Sequence, residues 1–119
     1  MRWIVVSTSE FYVSITGFRL KGRRHLVRFW WHTIRSIAQA RRALGNLKAE
    51  MCIVNGVYHT LSIWVDEQAM RTFLITGAHR NAMKAYRSVG TGRTLGFATS
   101  HLPDWNVSLQ RWHSEAREV

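Results

Sequence analysis

Between Phe11 and Leu20 the sequence FYVSITGFRL alternates in steps of two, with Phe11, Val13 and Ile15 on one side and Tyr12, Ser14 and Thr16 on the other. Successive side chains of a strand point to opposite faces, so this stretch reads as the first core strand. From Arg23 the period changes to that of a helix. Leu26, Phe29, Trp30, Thr33, Ile37, Ala40 and Leu44 gather on one side, and Arg28, Arg35 and Arg42 lie opposite. This predicts a long amphipathic helix over Arg23–Leu44, stopped by Gly45. Trp31 falls near the arginine side, where it is either covered by a partner subunit or laid over basic stems.

Asn46–Val54 and Val57–Val65 read as the second and third strands. Asn55-Gly56 between them is the pair most able to take the left-handed angles of a type I′ turn, which makes the strands antiparallel neighbours. In the third strand Leu61, Ile63 and Val65 alternate with Thr60, Ser62 and Trp64, so one face is aliphatic and the other polar and aromatic. A sheet with one greasy face predicts helices on that side and something less oily on the other.

Asp66 can cap the next helix, with Glu67 in its first turn and Met70, Phe73 and Leu74 on its buried face. Gly77 interrupts it. A second helical piece from Ala78 to about Val89 buries Ala82, Ala85, Tyr86 and Val89. Gly90-Thr91-Gly92 is expected as a turn, Arg93–His101 as the fourth strand, and Pro103-Asp104 as the start of a final helix carrying Trp105, Leu109, Trp112 and Ala116 on one stripe. The order β-α-β-β-α-β defines a ferredoxin-like α+β fold with an extra C-terminal helix. Residues 1–119 make one domain, with 1–10 as an N-terminal extension and 103–119 as the terminal helix. The uncovered sheet face needs a cover, and a second copy of the chain is the simplest one.

Composition narrows the setting. With 119 residues, 46% of them hydrophobic, the chain can build a real core. One cysteine, Cys52, rules out an internal disulfide and points to a reducing cytoplasm. No apolar run approaches a membrane span, and the opening MRWIVVSTS is too short for a secretory apolar core. Six tryptophans supply aromatic surface for a pocket or a subunit contact. Net charge is +10 and uneven: Phe11–Ala49 holds nine Lys or Arg and no acid, and Gln68–Pro103 is also free of acids. That balance draws nucleic acid, anionic lipid or acidic small molecules, although a solvated basic face accounts for it more simply.

Four phrases, FYVSITGFRLKG, RFWWHTIRSIAQARRALGNL, HTLSIWVDEQAMRTFLITGAHRNAMKAY and TGRTLGFATSHLPDW, together cover residues 11 to 105. They resemble the dimeric α/β-barrel superfamily, which includes antibiotic-biosynthesis monooxygenases and heme-degrading enzymes. Within it they are most similar to small bacterial proteins related to spheroidene monooxygenase. The resemblance implies a homodimer whose two sheets close into one barrel, with a pocket in each subunit between sheet and helices. It also implies monooxygenase-type chemistry on a hydrophobic small molecule. The cofactor is left open: spheroidene monooxygenase is heme-dependent, whereas the antibiotic monooxygenases need neither metal nor organic cofactor. In the heme-degrading branch, a catalytic tryptophan and a heme-ligating histidine align with Phe73 and Met83 here. Phe lacks the indole donor and Met is a poor ligand for ferric heme, so heme use would fall to His79, one turn before Met83.

His79 is accordingly the candidate catalytic residue, as base, hydrogen-bond donor or axial ligand. Trp30 and Trp64 either wall a pocket for a flat or conjugated ligand or belong to the core. Tyr58 and Tyr86 either donate to a substrate oxygen or satisfy themselves locally, and Phe73 joins them as a substrate-binding position. His59, among aliphatic neighbours, reads as a satisfied core histidine, and His32 as a surface one. No HxH, HxxxH or Cys/His cluster exists, so no metal site is expected. Cys52, between Met51 and Ile53, reads as an inert thiol.

Two rivals stand beside the enzyme. One is a non-catalytic ligand- or heme-binding dimer. The other is an RNA-binding module, which shares the element order and which Arg93-Thr94-Leu95-Gly96-Phe97-Ala98 echoes. Against it, that segment lies on the fourth strand rather than the third and Leu95 replaces a stacking aromatic. The basic residues also concentrate on the long helix.

Overall fold

Strand β1 (Phe11–Leu20), helix α1 (Leu26–Arg42), strands β2 (Asn46–Val54) and β3 (Val57–Trp64), helix α2 (Glu67–Leu74), strand β4 (Gly90–Thr99), helix α3 (Trp105–Glu115) and strand β5 (Arg117–Glu118) follow one another along the chain. The structure, a computed structural model, describes residues 10–75, 80–81, 83–84, 86 and 90–118. Arg80, Asn81, Met83, Lys84 and Tyr86 are helical, in the region of the expected second helical piece. The expected break at Gly77, and the N-terminal extension apart from Glu10, lie outside the described residues.

The strands form one antiparallel sheet in the order β2-β3-β1-β4-β5. Its first four members have the ferredoxin-like arrangement. The β2–β3 turn is built as its residues require, with positive φ at both Asn55 (50°) and Gly56 (78°). Asp66 Oδ1 accepts from the Ala69 amide at 2.8 Å and Asp104 Oδ1 from the Val107 amide at 2.8 Å, so both expected caps are in place.

Register decides which residues share a face. On one side, Val13 stands between Ile63 and Phe97, and Ile15 between Leu61 and Leu95. Val13, Ile15, Leu61 and Ile63 are at most 1% exposed. Burying each contributes ~1.5–3 kcal/mol. The element packed on this aliphatic side is α3, through Trp105, Leu109 and Trp112. Helices α1 and α2 cover the opposite, polar and aromatic side, where Ala40, Met70 and Phe73 meet Trp64 and Phe29 meets Phe18. The expectation that these two helices roof the greasy face is therefore reversed. The face expected to stay bare for a second copy carries a helix as well. The missing side chain at Gly17 leaves the room in which the Trp112 ring seats α3.

Other departures are local. The helix expected from Arg23 begins as a 3-10 turn over Arg23–His25 and ends at Arg42, where Ala43 takes an extended ψ of 143°. Leu44, beyond that end, is 95% exposed rather than buried, and Leu74 at the end of α2 is also exposed. Gly90-Thr91-Gly92 is not a turn. Gly90 pairs with Leu20 and Gly92 with Phe18 as the start of β4. The reason is space for Phe18: a Cβ at residue 90 would come within 2.7 Å of its ring, and one at residue 92 within 3.0 Å. The C-terminal helix stops at Glu115, and Arg117–Glu118 pair with Arg93–Thr94 at the sheet edge.

Candidate functional site

The helix-covered side of the sheet has an order along its strands. Tyr12 aligns with Trp64 and Ala98, Ser14 with Ser62 and Gly96, Thr16 with Thr60 and Thr94, and Phe18 with Tyr58 and Gly92. Directly opposed residues of antiparallel strands project to the same face. Two central rows of hydroxyls therefore lie between two outer rows that carry aromatic rings. The rows of Trp64 and Tyr58 are six residues apart on β3, about 20 Å at strand rise.

At one end of these rows Trp64 is fully buried, with its ring centroid 5.2 Å from that of Phe73 on α2. The other end is an aromatic cluster. Phe18 stacks on Phe29 at 5.4 Å, Tyr58 lies 4.7 Å from Phe29, and Tyr86 packs on both Phe18 (4.9 Å) and Phe29 (5.4 Å). Thr33 of α1 reaches the same end, its Oγ1 2.6 Å from the Tyr86 hydroxyl.

Between the ends, Ser14, Thr16, Thr60, Ser62 and Thr94 are half-buried. The Thr16 and Thr60 hydroxyls hydrogen-bond each other. Ser62 Oγ accepts from Trp64 Nε1 at 2.9 Å, which leaves its own O–H free to donate. Ser14 has no hydrogen-bond partner among the described residues. A helix-covered sheet face in an ordinary core would carry aliphatic side chains, and in this chain those lie on the other side.

No described residue of these four rows carries a formal charge. Burial raises the Tyr86 phenol above its ordinary pKa, partly opposed by the Thr33 hydrogen bond. Burial also raises that of Tyr12, with Glu67 adding and Arg71 opposing. Both phenols stay protonated, so each can donate a hydrogen bond and neither is a base near neutral pH. The face these rows form is uncharged, with hydroxyls at its centre and aromatic rings at its ends.

The residues singled out from the sequence fall into separate groups. Trp64 and Phe73 meet at one end of the rows; Tyr58 and Tyr86 both pack on Phe29 at the other. Trp30 stands behind that second end, edge-on to Phe29 (5.9 Å) and Tyr58 (5.8 Å). His79 lies outside the described residues. His59 is 1% exposed on the α3 side, with Nδ1 3.1 Å from the Thr16 carbonyl oxygen, as a satisfied core histidine should be. The hydroxyl rows escaped the sequence reading as a site, although the alternation Tyr12-x-Ser14-x-Thr16 and Thr60-x-Ser62-x-Trp64 was its signal.

A heme against this face would need an axial ligand. None of the described residues in its rows is a histidine or cysteine: His59 and its β2 partner Cys52 face α3. Among the described residues of these rows none can serve as an axial ligand to heme, and His79, the ligand the resemblance offers, lies outside them. No group of three or more His, Cys, Asp or Glu able to hold a metal ion occurs among the described residues.

The ring that carries the RNA-binding echo is covered. Phe97 is buried under Arg111, whose guanidinium lies 3.9 Å from the ring centroid. Arg93 lies over the Trp112 ring at 5.0 Å and donates to the Ala116 carbonyl.

No family model and no curated protein matches the sequence. Solved structures do match. SnoaB, a cofactor-independent oxygenase from Streptomyces nogalater, is 20% identical at a TM-score of 0.65, covering 80% of this chain and 99% of its own. An antibiotic biosynthesis monooxygenase matches at 0.65 with 10% identity, over 77% of this chain and 99% of that one. A conserved protein from Methanosarcina mazei matches at 0.69 with 8% identity, over 77% and 95%. The chain thus has the ferredoxin-like fold of the antibiotic biosynthesis monooxygenase-like proteins. At these identities the likeness is one of fold.

Proposed function

We propose that the chain is a monooxygenase-like enzyme that takes a flat, hydrophobic, oxygen-bearing small molecule into a trough between sheet and helices. The observation that carries this is the pair of hydroxyl rows, Ser14–Ser62 and Thr16–Thr60, set between aromatic ends under helices. Ser14 and Ser62 are the groups free to bond a ligand oxygen, and the rings of Trp64 and Tyr86 bound its apolar length. The fold shared with a cofactor-independent oxygenase supports chemistry in which the substrate itself is the reductant. In such a step an activated CH2 becomes C=O: one atom of O2 joins the carbon, and the other leaves as water with the two hydrogens. His79 is the base in this proposal, supported by the resemblance and by its position seven residues before Tyr86 in the sequence. The homodimer implied by the resemblance belongs to the same proposal, and sedimentation reads it directly.

The test uses anthrone, a flat tricyclic ketone with an activated methylene. Binding is followed by tryptophan quenching and turnover by oxygen uptake. Saturable binding is expected, weakened about fivefold or more in Ser14→Ala/Ser62→Ala, since each hydrogen bond is worth roughly 1 kcal/mol. Binding that is absent, or unchanged in that variant, defeats the reading. Binding without oxygen uptake, in wild type as in His79→Ala, leaves a ligand-binding protein instead.

A further inference from the structure

On the outer side of α1, Val27, Trp31 and Ile34 are 84%, 59% and 61% exposed. Their spacing of four and three puts them on one stripe, turned away from Phe29, Thr33 and Ala40, which the same helix buries. Arg28 and Arg35 flank the stripe, and the turn with Arg23 and Arg24 precedes it. The Arg35 guanidinium lies 5.4 Å from the Trp31 ring centroid, which leaves much of that indole in water. None of these arginines has a carboxylate partner among the described residues, and no acid occurs from Phe11 to Ala49.

We infer that this face of α1 docks on an anionic lipid surface, with the helix lying flat and Val27, Trp31 and Ile34 entering the headgroup boundary. Two separate features ask for such a partner. An exposed apolar stripe over residues 27–34, about 10 Å along a 17-residue helix, gains from leaving water. Unpaired arginines beside it gain from phosphates, and an interfacial helix combines both needs. Tryptophan with one apolar and one polar edge is suited to that depth. A nucleic acid would meet the arginines and leave Val27 and Ile34 against phosphate. A second copy, related by a two-fold axis, would bring the arginine rows together, at a cost in like-charge repulsion. Among the described residues no helix is long and apolar enough to cross a membrane, so the contact is peripheral. The inference does not depend on the trough or its chemistry.

Co-sedimentation of the full chain with vesicles of phosphatidylcholine plus phosphatidylglycerol, against phosphatidylcholine alone, tests it. Binding to the anionic vesicles only, weakening as salt rises, is expected. Arg28→Gln/Arg35→Gln should lower affinity at least tenfold, about fivefold per arginine. Trp31→Ser/Ile34→Ser should also lower it at least tenfold through lost apolar burial. Both pairs lie on the solvent side, and circular dichroism checks that the fold is kept. The inference is overturned by no binding, by equal binding to both vesicles, or by affinity that either pair leaves unchanged. It is equally overturned if Trp31→Ser/Ile34→Ser turns a dimer into monomer, or if an RNA oligonucleotide binds more tightly than the vesicles.

Discussion

The indole of Trp112 occupies the space in which a side chain at residue 17 would have to sit. A Cβ on Gly17 would come within 2.7 Å of Trp112 Cε2 and closer still to Cζ2. The ring is held there from several sides. Its Nε1 donates to the Arg93 carbonyl at 2.9 Å, the Arg93 guanidinium lies over it, and the His59 ring meets it edge-on at 4.6 Å. Gly17 and Trp112 are therefore one packing unit, and they seat α3 on the aliphatic side of the sheet.

Gly17→Ala should cost roughly 1–3 kcal/mol, because a methyl is forced against a rigid, hydrogen-bonded ring. Trp112→Ala should cost about 3–5 kcal/mol on its own. In the double variant the two costs should fall short of their sum by at least ~0.5 kcal/mol, since the methyl then has room. Denaturant unfolding of the four proteins measures this. A Gly17→Ala protein as stable as wild type would mean α3 does not lie on that face.

Ser62 and Trp64 carry the second prediction. The Trp64 ring is fully buried, and its N–H has Ser62 Oγ as acceptor at 2.9 Å. Ser62→Ala should leave a buried donor unmet, costing ~1–3 kcal/mol. Ser62→Thr keeps an acceptor and should cost less. Equal losses for the two would show that the hydrogen bond is not what Ser62 supplies.

The third concerns pH. Burial holds the His59 imidazole below its ordinary pKa of 6.5, with the Thr16 carbonyl bond pulling it up and His113 pushing it further down. A carbonyl oxygen can only accept, so the neutral ring carries its proton on Nδ1. The unfolded chain then takes up a proton at a higher pH than the folded one. Stability is whole above about pH 6.5 and declines as pH falls below it, until the folded form protonates as well. His32, lowered by burial and by Arg28 and Arg35, acts in the same sense. Thermal unfolding of wild type should show the acid-side decline, and His59→Gln should flatten it beyond what His32→Gln does. An unchanged slope in His59→Gln would remove His59 as the titrating group.

Local patterns settled much of this protein in advance. The period-two stretch Phe11–Leu20, the Asn55-Gly56 turn and the caps Asp66 and Asp104 act through contacts within a few residues, so they are legible in one dimension. The same holds for the stripe Trp105, Leu109 and Trp112 on α3. Element order then leaves few ways to arrange four strands, and the ferredoxin-like sheet follows. Periodicity divides each strand into two faces but carries no label for what covers each one. That depended on cross-strand register, which places Gly17 beside His59 and Arg93 and leaves a gap on the aliphatic side that the Trp112 ring fills. With α3 seated there, α1 and α2 take the other face. Ser14, Thr16, Thr60 and Ser62, four unremarkable polar residues in the chain, came to share one patch of a face only when β1 paired with β3.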